Sequence, residues 1–182
     1  ASFAPLGSAE VRQAICELGL VGEAEILEEA EVARRVAASL AVPAKTLAWI
    51  AEPGGAPLVV ILRPDVTVSE EALRAALGGT WEAVRLANPA ELLACFGFRR
   101  GTLGPLGLRE QSSVHIIIDA DLADHVLLCG AGEDGLCLCV AAAALASLRA
   151  LRATVVAVAV APARELGISM TAVSKDSHEA QY

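Results

Sequence analysis

Lysine is almost missing from this 182-residue chain: Lys45 and Lys175 stand against twelve arginines. The 22 acidic and 14 basic residues give a formal net charge of −8. That balance excludes a broad nucleic-acid-binding surface, so a polyanionic partner has to be held by a local patch. Hydrophobic residues make up 55% of the chain, yet the longest uncharged apolar run, residues 135–148, has 14 residues. A bilayer needs about 20, so this run and the β-branched run 153–163 read as buried core and no membrane association is expected. The five cysteines, Cys16, Cys95, Cys129, Cys137 and Cys139, contain no CxxC pair. The odd count argues against a disulfide framework or a zinc site and for reduced thiols in a cytoplasmic protein. The opening ASFAPLGSAE has no basic segment followed by an apolar one, so no secretory signal is expected.

Chemistry with a recognisable motif is missing as well. There is no Ser-His-Asp spacing, GxSxG elbow, HExxH or Walker sequence. The stretch IDADLADH brings Asp119, Asp121, Asp124 and His125 together, but it lacks the glycine turn and terminal bidentate acid of an oxygen-ligand site. Turn capping is the expected role, and neither a metal nor a cofactor is expected. His115 between Val114 and Ile116 reads as a structural strand histidine.

The order of elements is that of an α/β protein with a mixed, partly antiparallel sheet. Ser8 is positioned to cap a helix carrying Val11, Ile15 and Leu18 and ending at Gly19. A second helix from Glu29 places Val32, Val36 and Leu40 at helical spacing. AKTLAWIAE and PLVVILRP around PGGA read as a β-hairpin. Thr67 and Glu70 form a capping-box pattern for a helix stopped by Gly78 and Gly79, and strand-like AVRLA follows. Asn88, Pro89 and Glu91 then mark a helix start; that helix buries Leu92, Leu93 and Phe96 and ends at Gly97. VHIIID, HVLLCG and GLCLCV look like strands, followed by an alanine-rich helix and a last strand ATVVAVAV. Residues 1–161 thus read as one domain and residues 162–182 as a linker or tail.

Three features stand out. GFRRGTLGPLGLRE, residues 97–110, is glycine-dense and long for a connector, the kind of loop that brings backbone N–H groups close to a ligand. Lys45 shares its strand alternation with Leu47 and Trp49, which makes it the charged member of an apolar face. Such a lysine needs a carboxylate or an anionic ligand unless its stem reaches solvent. Cys137 and Cys139 share one face of an extended GLCLCV, as packing or as a pocket-lining thiol.

Taken in order, AKTL, SEEALRAALG, RLANPAELLACFGF, GTLGP with LGL, HIIIDADL and VLLCGAGEDGLCLCV resemble the YbaK and prolyl-tRNA-synthetase-associated editing domain family over residues 8–160. The resemblance implies a mixed, partly barrel-like β-sheet with flanking helices. It also implies an aminoacyl-tRNA deacylase for alanyl- or cysteinyl-tRNA(Pro), acting on the acceptor end and working with prolyl-tRNA synthetase in cis or in trans. Lys45, Gly101 and Pro105 correspond to the catalytic positions, the lysine near the ester and terminal phosphate, and the residues from Gly101 to Pro105 forming an oxyanion-binding rim. Thr46, Leu47, Thr102, Leu103, Gly104, Gly130, Gly132 and Cys137 are implied around the substrate. Arg99, Arg100 and Arg109 flank the loop as candidate tRNA contacts. Two departures bear on substrate choice. Thr46 stands where alanine-specific relatives often carry asparagine, and Cys137 stands near an acidic position of the last pocket strand. The competing reading is a tRNA- or protein-binding appendage that kept the fold without turnover.

Overall fold

The computed structural model describes residues 3–78 and 81–160. Gly79 and the tail from residue 162, read above as a helix stop and a linker, lie outside the described residues.

The hairpin expected from AKTLAWIAE and PLVVILRP is present. Strand β3 (Lys45–Glu52) pairs antiparallel with β4 (Ala56–Leu62), in register from Lys45 opposite Leu62 to Ala51 opposite Ala56. It nucleates a five-stranded sheet. Strand β6 (Ala83–Leu86) joins the free side of β3, while β7 (His115–Asp119) and then β10 (Arg152–Val156) add in parallel beyond β4, giving the order β10-β7-β4-β3-β6. The near-continuous apolar runs of β4 and β7 are what a strand covered on both faces requires. Ile116 and Ile118 enter one core and Ile117 another.

A four-stranded sheet, β1-β9-β8-β2, covers one face, built from β1 (Ala24–Glu28), β2 (Val42–Pro43), β8 (Val126–Gly130) and β9 (Leu136–Ala141). The main core lies between the sheets, with Ile50, Val59 and Ile61 from one and Leu127, Leu138 and Val140 from the other. A second core, around Trp49, Val60 and Ile117, occupies the other face of the five-stranded sheet and receives Leu73 of helix α3 (Glu70–Ala76). The architecture is therefore mixed α/β with partly antiparallel sheets closing around a shared core. The chain passes from one sheet to the other within residues 42–45. β2 pairs with β8, Ala44 N–H donates to Leu128 O at 3.0 Å, and β3 then begins in the other sheet.

The helices are α1 (Ser8–Glu17), α2 (Glu29–Ala37), α3, the short α4 (Pro89–Glu91) running into a π turn at Leu92–Phe96, and α5 (Ala142–Ser147). Several local expectations need correction. Ser8 is the first residue of α1 and does not cap it; Gly7 precedes the helix, and its N–H donates to Glu10 Oε2 at 2.8 Å. Ser69, two residues after Thr67, caps α3 by accepting from Ala72 N–H, because Thr67 is drawn into the short strand β5 (Thr67–Val68). Helix α2 fully buries none of its residues: Val32 packs half-buried against the small cluster of Leu27, Ala41, Leu128 and Cys139, Val36 is 39% exposed, and the helix ends at Ala37, before Leu40, which is 62% exposed. The start at Asn88 is as expected, with Asn88 Oδ1 accepting from Ala90 and Glu91 N–H and Glu91 Oε2 accepting from Asn88 N–H. Phe96 is fully buried, whereas Leu92 and Leu93 are half-buried.

The expected single strand ATVVAVAV is two strands, and one buried side chain explains the break. Asp119 is 2% exposed, and its Oδ1 accepts from Val158 and Ala159 N–H, both at 2.9 Å. Those contacts pull the chain off β7 after Val156 and direct β11 (Ala159–Val160) onto β5. Oδ2 accepts from Asp121 N–H, the turn-capping role expected for this stretch. Asp119→Ala leaves three backbone donors without that acceptor. It should lower unfolding stability by about 2–3 kcal/mol in a denaturant titration. A loss below about 0.5 kcal/mol would show that the crossing is held by other contacts.

Candidate functional site

The glycine-dense stretch is not a surface connector. Leu103, Leu106 and Leu108 are 6%, 0% and 5% exposed, so most of the loop is core. Backbone contact explains its composition. A Cβ on Gly104 would lie 1.9 Å from Gly130 O, and one on Gly130 would lie 2.2 Å from Leu103 O. Beside this pair, Gly132 N–H donates to Thr102 O at 2.9 Å. Gly132, at φ +87°, also packs against Gly7, where a Cβ would come within 2.5 Å. Only glycine permits main chains to meet this closely. Gln111 closes the far side: its Nε2 donates to Pro105 O at 2.9 Å and its Oε1 accepts from Leu108 N–H at 3.2 Å. Thr102 is buried, and its hydroxyl donates to Arg99 O. Gly101 differs from its neighbours. It is exposed, has φ +84°, and nothing stands within 4 Å of a Cβ built there.

Gly101 borders a cleft of about 380 Å³ beside the sheet-switching corner. Pro43 and Ala44 form one wall, and Gly130 and Cys137, opposite each other in the β8–β9 ladder, form another. Val32 and Leu136 add apolar surface. Sequence reasoning missed the rim, where Glu29 at the start of α2 and Glu133 and Asp134 in the β8–β9 turn are exposed carboxylates. The AGED turn in VLLCGAGEDGLCLCV was a visible signal for two of them. Ser8 N–H and Oγ both donate to Glu133 Oε1, at 3.0 and 2.6 Å, which ties α1 to the cleft turn and holds that carboxyl below its usual range.

The structure separates the residues expected on β3. Lys45 follows Ala44 in the chain, but its Nζ turns to the carbonyls of Val66, at 2.5 Å, and Pro64, at 3.3 Å. Main-chain acceptors therefore hold this half-buried ammonium, with the Asp65 carboxylate nearby; burial pushes its pKa down and Asp65 acts the other way. Thr46 alternates to the opposite side. Its Oγ1 is buried without a hydrogen-bond partner of standard geometry, and the Cys129 thiol lies beside it. Leu47 packs with Trp49 against the second core, so it does not line the cleft with Cys137 as the resemblance implied.

Burial pushes the Cys129 thiol up to about 12 and raises that of Cys137. Both remain thiols near neutral pH and are poor nucleophiles. Arg99 and Arg100 are exposed next to Gly101. Arg109 is engaged elsewhere: its Nη2 donates to Ala4 O at 2.8 Å, its Nε donates to Leu93 O, and its guanidinium lies 5.0 Å from the Phe3 ring centroid. That clamp ties Arg109 to the N-terminal segment. Among the described residues no group of three or more His, Cys, Asp or Glu side chains converges as metal ligands, and no helix is long and apolar enough to cross a membrane.

The two kinds of glycine should separate on substitution. Gly104→Ala should lower the unfolding midpoint severely, because its Cβ would enter the Gly130 carbonyl. Gly101→Ala should cost only the roughly 1 kcal/mol of a left-handed residue and still fold. Comparable thermal midpoints for the two variants would contradict the backbone-contact account.

Residues 23–148 match the aminoacyl-tRNA editing domain family. Proline–tRNA ligase of Anaeromyxobacter sp. (strain K) is 34% identical over 92 residues, 50% of this chain and 15% of the ligase. The corresponding ligase of Thiobacillus denitrificans is 37% identical over 102 residues, 54% of this chain and 17% of the ligase. The matched part thus spans about one-sixth of these relatives. A crystal structure of a protein proposed to be a trans-editing enzyme for prolyl tRNA synthetase superposes with a TM-score of 0.66 at 20% identity, covering 85% of this chain and 97% of that one, which shows a common fold. With the family match extending over the corner, the glycine loop and the acidic turn, the chain belongs to the aminoacyl-tRNA editing domain family.

Proposed function

We propose that the chain hydrolyses the ester of mischarged alanyl- or cysteinyl-tRNA(Pro), with the corner cleft as its active site. The observation that carries this reading is the convergence of Gly101, Ala44, Gly130 and Cys137 on one small cavity. Its volume of about 380 Å³ lies at the small end of ligand pockets. The exposed Gly101 opens the GTLGP segment toward the cleft, where main-chain N–H groups would meet the developing oxyanion. One such donor contributes roughly 3–4 kcal/mol to the barrier, sufficient to hasten hydrolysis of an already labile ester. Water is the nucleophile in this reading, or the substrate's own thiol when cysteine is attached. The rim carboxylates Glu29, Glu133 and Asp134 suit the α-ammonium of an aminoacyl ester, and they stand in for the acidic position that Cys137 occupies here. Lys45 would leave its carbonyl acceptors to reach the terminal phosphate. Hydrolysis of a tRNA ester would place the protein in the cytoplasm, where tRNA is charged.

The rival reading, a tRNA-binding appendage without turnover, draws on the engagement of Lys45 by Pro64 and Val66. A deacylation panel decides between them. Alanyl- and cysteinyl-tRNA(Pro) should both be hydrolysed and prolyl-tRNA(Pro) spared, since steric exclusion of the larger ring discriminates more strongly than a missing methylene, worth about 1–3 kcal/mol. Rapid loss of prolyl-tRNA with the other two untouched would overturn the assignment. Lys45→Ala should reduce turnover by roughly 100-fold, a typical effect of losing a charged contact to the reacting group, while costing about 1 kcal/mol of stability. Ala44→Leu, which fills the cleft wall, should abolish turnover with an unchanged thermal midpoint; full activity in that variant would move the site elsewhere.

A further inference from the structure

Pro43 has a cleft on either side. Beyond it lies a second groove of about 350 Å³, formed by Val42, Arg63, Pro64, Asp121, Leu122 and His125. The two cavities share this one residue and differ in charge. The first carries three rim carboxylates and, among the described residues, no cation, whereas the second presents Arg63 together with one carboxylate, Asp121, and Lys45 Nζ is held on the Pro64 carbonyl at its edge. A phosphodiester strand whose terminal ester sits in the first cleft meets like charge at the acidic rim. Crossing Pro43, it meets a guanidinium.

The groove has the mixed surface that a nucleotide needs. Val42, Pro43, Pro64 and the buried Leu122 supply an apolar floor. Arg63 is paired with Asp65, but the two side chains are 50% and 55% exposed. An ion pair in that setting contributes little, and a phosphate can replace it with a bidentate contact. The backbone of His125 is fixed by its N–H on Leu122 O and by Ala142 N–H on its carbonyl. Its ring, like the Asp121 carboxylate, makes no hydrogen bond among the described residues. An imidazole is a stacking surface for a base, and a carboxylate accepts from the exocyclic amine of cytosine. The penultimate nucleotide of a tRNA is cytidine.

We propose that this groove is a cytidine subsite for the nucleotide preceding the terminal adenosine, with Arg63 on its phosphate, Asp121 on its exocyclic amine and His125 against its ring; the inference rests on the ester lying in the corner cleft. It assigns a tRNA-contacting role to residues that the resemblance did not single out. The acidic groups around the phosphate position are Asp65, which yields Arg63, and Asp121 and Asp119, whose carboxylates also act on the Arg63 guanidinium.

The test uses the dinucleotides cytidylyl-adenosine and uridylyl-adenosine as probes, titrated into the whole chain at low salt and followed by NMR. Cytidylyl-adenosine should shift the His125 ring resonances and bind about fivefold more tightly than uridylyl-adenosine. Arg63→Ala should weaken both dinucleotides about tenfold, and Asp121→Ala should erase the preference for cytidine. Both side chains are exposed, so unfolding midpoints close to that of the unmodified protein confirm intact variants. Absence of binding, equal affinity for the two dinucleotides, or a loss that follows Arg99→Ala and not Arg63→Ala overturns the subsite. Deacylation of mischarged tRNA is measured on the same samples. Hydrolysis without any dependence of dinucleotide binding on the groove overturns the subsite alone. Groove binding without hydrolysis supports the subsite and overturns the deacylase reading.

Discussion

The contact between the backbones of Gly104 and Gly130 is the constraint on which the site depends. It presses the loop after Gly101 against the end of β8 so closely that neither residue tolerates a Cβ. The hydrogen bond from Gly132 to Thr102 and the Gln111 bonds to Pro105 and Leu108 extend the same seam on both sides. A loop fixed in this way holds its leading residue, Gly101, at the cleft with little freedom to retreat. Preorganisation of that kind is what an electrostatic catalyst without a protein nucleophile needs.

The second determinant is the corner at residues 42–45, where the chain leaves one sheet for the other. Strand pairing holds both ends of the corner, through β2 on β8 and β3 on β4. Pro43 lacks an N–H to donate and does not need one where the ladder ends. The corner divides the molecular surface into an acidic cleft and a groove with Arg63. Lys45, immediately after it, stabilises the return of the chain at Pro64 and Val66. That ammonium lies at the edge of the groove that carries Arg63.

An overall charge of −8 is compatible with a tRNA partner because the charges are sorted. Glu29, Glu133 and Asp134 gather at the corner cleft, whereas Arg99 and Arg100 stand exposed next to Gly101 and Arg63 lines the neighbouring groove. Arg109, beside the same glycine-dense loop, donates to Ala4 and Leu93 carbonyls and so fastens the N-terminal segment.

The sequence by itself determined the class and much of the element order. Short apolar runs bounded by turn residues specify β3, β4, β7, β8 and β9 because each buries at least one face, and Asn88 with Pro89 and Glu91 specifies a helix start through local hydrogen bonds alone. The ordered motifs also carried the family. Tertiary structure decided what depends on partners far apart in the chain. The split of the final strand follows from Asp119, about 40 residues away. Val32 packs on a small core cluster while Val36 is exposed and Leu40 falls beyond the end of α2, which helical spacing cannot report. Strand alternation put Lys45, Leu47 and Trp49 on one side and Thr46 on the other, but which side faced a cleft depended on how two sheets met at a corner. The same limit applies to the glycines: composition showed that the backbone had unusual freedom, and only the approach of β8 revealed that Gly104 uses it for contact while Gly101 leaves it open to the cleft.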